Sequence, residues 1–129
     1  MKWIIGELKA GDHIRVNRGF YFHHGVYIGE GQVVHYSALE DDGISDASSV
    51  EVRQSNLDFF SKKSIVEKCE LEGKERKYRL NPKKIVKKAL SRIGEKNYHV
   101  LHHNCEDFAN ECCYKKPMTS QVNDIKDKM

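Results

Sequence analysis

No window of this chain approaches the ~20 consecutive apolar residues of a membrane-spanning helix. The apolar run in Met1-Lys2-Trp3-Ile4-Ile5-Gly6 is too short for a secretory leader. A soluble chain without a transmembrane anchor is therefore expected. No block of like charge stands out either. The formal net charge is +3, from 22 basic and 19 acidic side chains that interleave. That balance is a solvated surface, not a nucleic-acid stripe, and no nucleic-acid partner is expected. The densest basic stretch, Lys83-Lys84 with Lys87-Lys88, reads as the polar face of a helix. None of the four cysteines, Cys69, Cys105, Cys112 and Cys113, forms a Cys-x-x-Cys pair. A zinc knuckle and a disulfide framework are both disfavoured, and a reducing compartment, the cytoplasm, is expected. No glycine-rich loop opens a helix, and Gly29-Glu30-Gly31 reads as a turn. There is no repeat, no low-complexity tract and no Pro/Gly/Ser-rich linker, so residues 1–129 read as a single domain.

What is present divides into a strand-rich and a helix-rich half. Asp12-His13-Ile14-Arg15-Val16 alternates polar and apolar residues, as a strand does. His24-Gly25-Val26-Tyr27-Ile28 and Gln32-Val33-Val34-His35-Tyr36-Ser37 flank the glycine turn and predict a hairpin. Glu40 to Ser49 reads as a loop. Ser49-Val50-Glu51-Val52-Arg53 and Ser64-Ile65-Val66-Glu67-Lys68-Cys69 read as further strands, and Leu57-Asp58-Phe59-Phe60 as a turn or strand start. Asn81 can cap a helix that opens on Pro82. Ile85, Val86, Ala89, Leu90 and Ile93 give it an apolar stripe, and Gly94 ends it. A second helix begins near Asn104 and runs to about Tyr114, with Cys105, Phe108, Ala109 and Cys112 on one side. The fold class expected is α+β, a small antiparallel β-sheet packed against helices.

Cys105 is the candidate nucleophile. It falls in the first turn of its helix, where unpaired amides carry partial positive charge and can hold a thiolate or an oxyanion. A thiol also needs an imidazole nearby to react at neutral pH. Glu106 and Asp107 favour the helix end but oppose a thiolate. The base is a question of register. Strand alternation puts His23, Gly25 and Tyr27 on one face and His24, Val26 and Ile28 on the other. A three-residue loop brings His23 to the face of His35, whereas a two-residue loop brings His24 there. The sequence permits either. The remaining cysteines read as core residues. His13, His99, His102 and His103 read as satisfied core or surface histidines, the last two with a place beside the cleft. Tyr21, Tyr27 and Tyr36 read as packing residues. A metal held by His23, His35 and Cys105 has no spacing in its favour, so no metal and no cofactor are expected.

The segment from Gly11-Asp12 through His23-His24-Gly25-Val26-Tyr27-Ile28-Gly29 and Val33-Val34-His35, with Asn104-Cys105-Glu106-Asp107-Phe108 later, resembles the lecithin:retinol acyltransferase-like (LRAT domain) family. That family includes small phospholipase A/acyltransferases. The likeness spans nearly the whole chain, Ser120-Gln121-Val122 included. It implies a fold similar to circularly permuted papain-like thiol hydrolases, with His23 as general base, His35 as the residue orienting it and Cys105 as nucleophile. The implied reaction is acyl transfer or hydrolysis at an acyl ester or phospholipid through a thioester, with transient contact at a membrane surface. Three features depart from the family pattern. Asp107 stands where many members carry His, His24 where an aromatic residue is common, and the chain ends in Asn123-Asp124-Ile125-Lys126-Asp127-Lys128-Met129 instead of a hydrophobic anchor. The alternatives are a thiol peptidase or amidase acting on small peptides, and a catalytically idle member that binds lipid or protein.

Overall fold

The computed structural model describes residues 1–42, 47–96 and 104–118. Six strands, β1 (Lys2–Ile4), β2 (Asp12–Asn17), β3 (Phe22–Gly29), β4 (Gln32–Ser37), β5 (Glu51–Asn56) and β6 (Val66–Glu70), form one sheet in the order β1-β6-β2-β3-β4-β5. Every neighbouring pair is antiparallel. Among the described residues the α-helices are α1 (Leu57–Ser61), α2 (Pro82–Ser91) and α3 (Cys105–Cys113), with a 3-10 segment at Gly73–Tyr78 between β6 and α2. The expected α+β architecture, an antiparallel sheet with helices packed on it, is what these elements make.

The sheet has two apolar faces because its strands alternate. Val26, Val34, Tyr36 and Val52 pack with Ile85 and Ala89 of α2 and with Phe108, Ala109 and Cys112 of α3. Ile14, Val16 and Val33 pack on the opposite face against Phe60 of α1. The start signals of α2 and α3 act as expected, whereas α2 stops at Ser91, short of Gly94, and leaves Leu90 and Ile93 exposed. The Asn81 side chain accepts from the Lys83 amide with Pro82 in the first turn, and Asn104 caps α3. Cys69, Cys112 and Cys113 are buried core residues.

Several elements differ from the sequence expectation. Leu57-Asp58-Phe59-Phe60 is helix, not turn or strand. The Asn56 side chain accepts from the Phe59 amide, and Lys62 in the left-handed region stops the helix after little more than one turn. The strand expected from Ser64 starts at Val66, after Lys62 and Lys63, both at positive φ. The strand expected from Ser49 starts at Glu51, following a 3-10 turn at Ala47–Ser49, and reaches Asn56 because β4 pairs it along its full length. Strand β1 carries no sequence pattern of its own and exists through pairing with β6.

The β3–β4 hairpin resolves the register question in an unanticipated way. Gly29 pairs with Gln32, so the turn itself is Glu30-Gly31. Gly29, Glu30 and Gly31 all take positive φ, as such a tight reversal requires. A bulge between Tyr27 and Gly29 then shifts the pairing to Tyr27↔Val33 and Val26↔Val34. A two-residue turn plus one bulged residue thus yields the register of a three-residue loop. His23 and His35 fall on the α1 face, together with Gly25.

Gly25 leaves no room for a side chain. A Cβ there would sit 2.8 Å from both Phe60 Cε2 and Val33 Cγ1, and 3.3 Å from His35 Cβ. Gly25→Ala is expected to cost about 1–3 kcal/mol of stability, as overpacking does. A thermal melt checks this, and an unchanged melting temperature would contradict the close packing around Phe60.

Candidate active site

Helix α3 starts where it does because Asn104 caps it twice. The Asn104 Oδ1 accepts the amides of Glu106 at 3.0 Å and Asp107 at 3.1 Å, while the Asp107 carboxylate accepts the Asn104 amide at 3.3 Å. This is a reciprocal capping box. The amides at 106 and 107 are thereby used, whereas that of Cys105 is not taken by the cap. The Cys105 sulfur is only slightly exposed. It accepts the His24 main-chain N–H at 3.4 Å and lies 3.8 Å from the Phe22 carbonyl. The thiol is thus seated against the backbone on either side of His23.

The imidazole of His23 pairs with that of His35, Nε2 to Nδ1 at 2.8 Å. The His35 Nε2 lies 2.7 Å from the Ser55 hydroxyl on β5. Phe60 closes the pair from below, its ring centroid 5.2 Å from each imidazole. His35 is fully buried and His23 nearly so.

His24, the rival base, belongs to a different network on the α3 face. Its Nδ1 lies 2.8 Å from His13 Nε2, and His13 Nδ1 lies 2.9 Å from the Tyr114 hydroxyl. Its Nε2 is 3.5 Å from a Glu106 carboxylate oxygen, and Trp3 packs edge-on against both imidazoles. His24 therefore serves the thiol through its main chain, while its ring ties β3 to β2 and to both ends of α3. His13 is a buried, hydrogen-bonded histidine, as expected of it.

Burial dominates the electrostatics. It lowers the pKa of His23 well below 6.5. The neighbouring His35 adds to that effect and the Asp42 carboxylate opposes it. Burial likewise holds His35 at about 4 and His24 at about 3. It pushes the Cys105 thiol up to about 12; the His24 amide works against that shift, whereas the Glu106 and Asp42 carboxylates reinforce it. Asp42 goes the other way. Burial disfavours its charge, but the hydrogen bond from Arg18, the nearby His23 and the Tyr21 hydroxyl outweigh that and hold it at about 2. Burial thus favours the uncharged forms of both the Cys105 thiol and the His23 imidazole.

The chain matches the family model described as lecithin retinol acyltransferase over residues 6–118. It belongs to the lecithin retinol acyltransferase family. It is 32% identical to the Mus musculus protein named phospholipase A and acyltransferase 3, over 93% of this chain and 79% of that protein. The Homo sapiens protein of that name is 31% identical, over 97% of this chain and 82% of its own length. The Mus musculus protein named lecithin retinol acyltransferase is 24% identical, over 95% of this chain and 62% of its own.

Within this lecithin retinol acyltransferase family fold, the rings of His23 and His35 are joined and the Cys105 sulfur lies against the main chain on either side of His23. Around the two imidazoles stand four residues that the sequence did not single out. Asp42, Arg18 and Ser55 were not anticipated, and Tyr21, expected to be a packing residue, instead donates its hydroxyl to Asp42 at 2.6 Å. No spacing rule could have found them, since they come from three separate segments, the β2–β3 turn, the β4–β5 connection and β5, that meet only in the folded chain. His99, His102, His103 and Ser120-Gln121-Val122 lie outside the described residues. Among the described residues, no three His, Cys, Asp or Glu side chains are grouped so as to hold a metal ion. No described helix is long and apolar enough to cross a membrane.

Proposed function

We propose that this protein is a cysteine-dependent acyltransferase or acyl hydrolase. It attacks the acyl ester of a phospholipid and carries the acyl group as a thioester on Cys105. The observation that carries the reading is the seat of the Cys105 sulfur, in the first turn of α3 and against the main chain flanking His23, whose ring is joined to His35. Relatives named phospholipase A and acyltransferase support a lipid as the acyl donor. The chain order His, His, Cys fits a circularly permuted papain-like site, which is part of the proposal. Four unpaired cysteines fit a reducing compartment, and the cytosol is the proposed location.

In the proposed mechanism, His23 carries its ring proton on Nε2 and donates it to His35 Nδ1, while His35 donates from Nε2 to Ser55. That polarity leaves His23 Nδ1 free to accept. As the substrate carbonyl docks, His23 takes the Cys105 thiol proton and sulfur bonds to the carbonyl carbon. The Cys105 amide, left open by the Asn104 cap, is the donor for the oxyanion. The tetrahedral adduct collapses, the ester C–O bond breaks, and the leaving alcohol takes the proton from His23. Water, an amine or an alcohol then attacks the thioester, with His23 again as base.

The test is incubation with phosphatidylcholine–detergent micelles, followed by mass spectrometry of the Cys105 peptide and assay of released fatty acid. The expected result is an acyl adduct on Cys105 that hydroxylamine removes, together with fatty acid or acylated acceptor. No adduct and no release on lipid, with cleavage of short peptides, would replace this reading with a thiol peptidase.

A further inference from the structure

A carboxylate shares the proton-bearing edge of His23 with His35. Asp42 Oδ1 lies 3.5 Å from His23 Nε2, and the Asp42 side chain is 6% exposed. Its Oδ2 accepts the Tyr21 hydroxyl at 2.6 Å and Arg18 Nε at 2.7 Å, and Arg18 Nη2 reaches Oδ1 at 3.3 Å. The same guanidinium donates to the carbonyls of Phe60 at 2.6 Å and Ser61 at 3.3 Å. The segment bearing Asp42 is thus fastened to the end of α1, whose Phe60 packs on both imidazoles. Burying an ion pair is a poor way to gain stability compared with apolar packing. A carboxylate held this firmly beside a catalytic imidazole therefore points to a role in the reaction.

We infer that Asp42 is a positioning residue for His23: it keeps the ring proton on Nε2, leaves Nδ1 open to the Cys105 proton, and offsets the charge His23 gains on taking it. The inference rests on the reading of Cys105 and His23 proposed above. Its logic lies in what His35 lacks. A neutral imidazole can accept the Nε2 proton, but it supplies no negative charge to balance an imidazolium. Around His23 stand His35 from β4, Phe60 from α1, His24 from the same strand, Arg18 and Asp42. Of these only Asp42 favours the charged ring; His35, Arg18 and His24 oppose it, and Asp42 outweighs Arg18. Asp42 thus does for a Cys-His-His set what a carboxylate does for a serine triad, holding the tautomer and stabilising the cation without becoming protonated.

The experiment joins a spectrum to a chemical rate, neither of which needs a lipid substrate. In the full-length wild-type chain labelled with 15N-histidine, His23 is expected to show Nε2 protonated and Nδ1 unprotonated at neutral pH. The opposite tautomer overturns the inference, even if no variant folds. In Asp42→Asn, alkylation of Cys105 by iodoacetamide at neutral pH is expected to slow at least about tenfold. At strongly alkaline pH, where hydroxide makes the thiolate directly, the rate is expected to match wild type. Asp42→Glu is expected to recover part of the loss. A wild-type neutral rate in Asp42→Asn overturns the role of Asp42. Slowed alkylation in a chain that releases nothing from phosphatidylcholine leaves Asp42 in place and removes the lipid reading instead.

Discussion

Cys105→Ala is expected to abolish the acyl adduct and to lower turnover of an acyl ester at least ~10³-fold, with the fold intact. In the proposed mechanism the sulfur is the atom that bonds to the acyl carbon, and no other thiol is placed to replace it. Cys112 and Cys113 are fully buried and Cys69 is nearly so, all three within the apolar core. Removing one sulfur seated against the sheet costs little stability, so the melting temperature should move by only a few degrees. The proposed base gives the companion result. His23→Ala is expected to slow alkylation of Cys105 about a hundredfold at neutral pH. His24→Ala should change it far less, because the group His24 offers the sulfur is its main-chain N–H. The pH profile follows from the same assignment. His23 acts as a base only when neutral, and burial lowers its pKa well below 6.5. The value of kcat/KM should therefore stay level from neutrality down past that point and fall only in stronger acid. A profile that drops around 6.5 would place the base in a more solvated position. Activity surviving Cys105→Ala would remove the nucleophile assignment altogether.

Much of this site is legible because its parts obey short-range rules. Asn104 and Asn81 mark helix starts with side chains that reach only two or three residues ahead, so the placement of Cys105 in a first turn can be read directly. The shared face of His23 and His35 follows from strand parity once the register is known. The register was the limit. A two-residue turn and a three-residue register looked like alternatives, yet the bulge between Tyr27 and Gly29 gives both. It forms where it does because His23, Gly25 and Val33 must face Phe60 while Val26 and Val34 face α3, a choice made by the packed core. The Leu57–Ser61 helix was missed because a single turn has no period to display. Asp42, Arg18 and Tyr21 were missed for a related reason. Their contacts span 21 to 24 residues, and the contacts of Arg18 with the end of α1 span 42 and 43. Nothing local selects them. What the sequence flagged without explaining is His24, a departure from the family pattern. In the fold it is one link in a buried Tyr114–His13–His24 chain.

That chain, together with the His23–His35 pair, should make the protein unusually sensitive to acid. Among the described residues four histidines, His13, His23, His24 and His35, are buried, and burial is the first cause lowering the pKa of each. In the unfolded chain each returns to about 6.5. Between that value and the native ones, about 4 for His35 and about 3 for His24, the unfolded state binds more protons than the native state. Stability is thus fully present above 6.5 and is lost as pH falls below it. Each extra proton contributes about 1.4 kcal/mol per pH unit, so four would remove about 5 kcal/mol per unit near pH 5. Against a typical domain stability of about 5–15 kcal/mol, that slope should unfold the protein within ~1–3 pH units of 6.5. Asp42 cannot be the driver. Its pKa is lowered from 3.8 to about 2, so its contribution stays intact until the pH drops below the unfolded value, under most of the histidine window. Urea titrations followed by circular dichroism at several pH values between 7 and 4 measure the slope directly. A linked uptake of three to four protons is expected, and replacing His13 and His24 together by phenylalanine should reduce it by two. A slope of one proton or less would mean that these imidazoles are already charged in the native protein, which the 2.8 Å ring-to-ring contacts, each needing a lone pair on one side, do not allow.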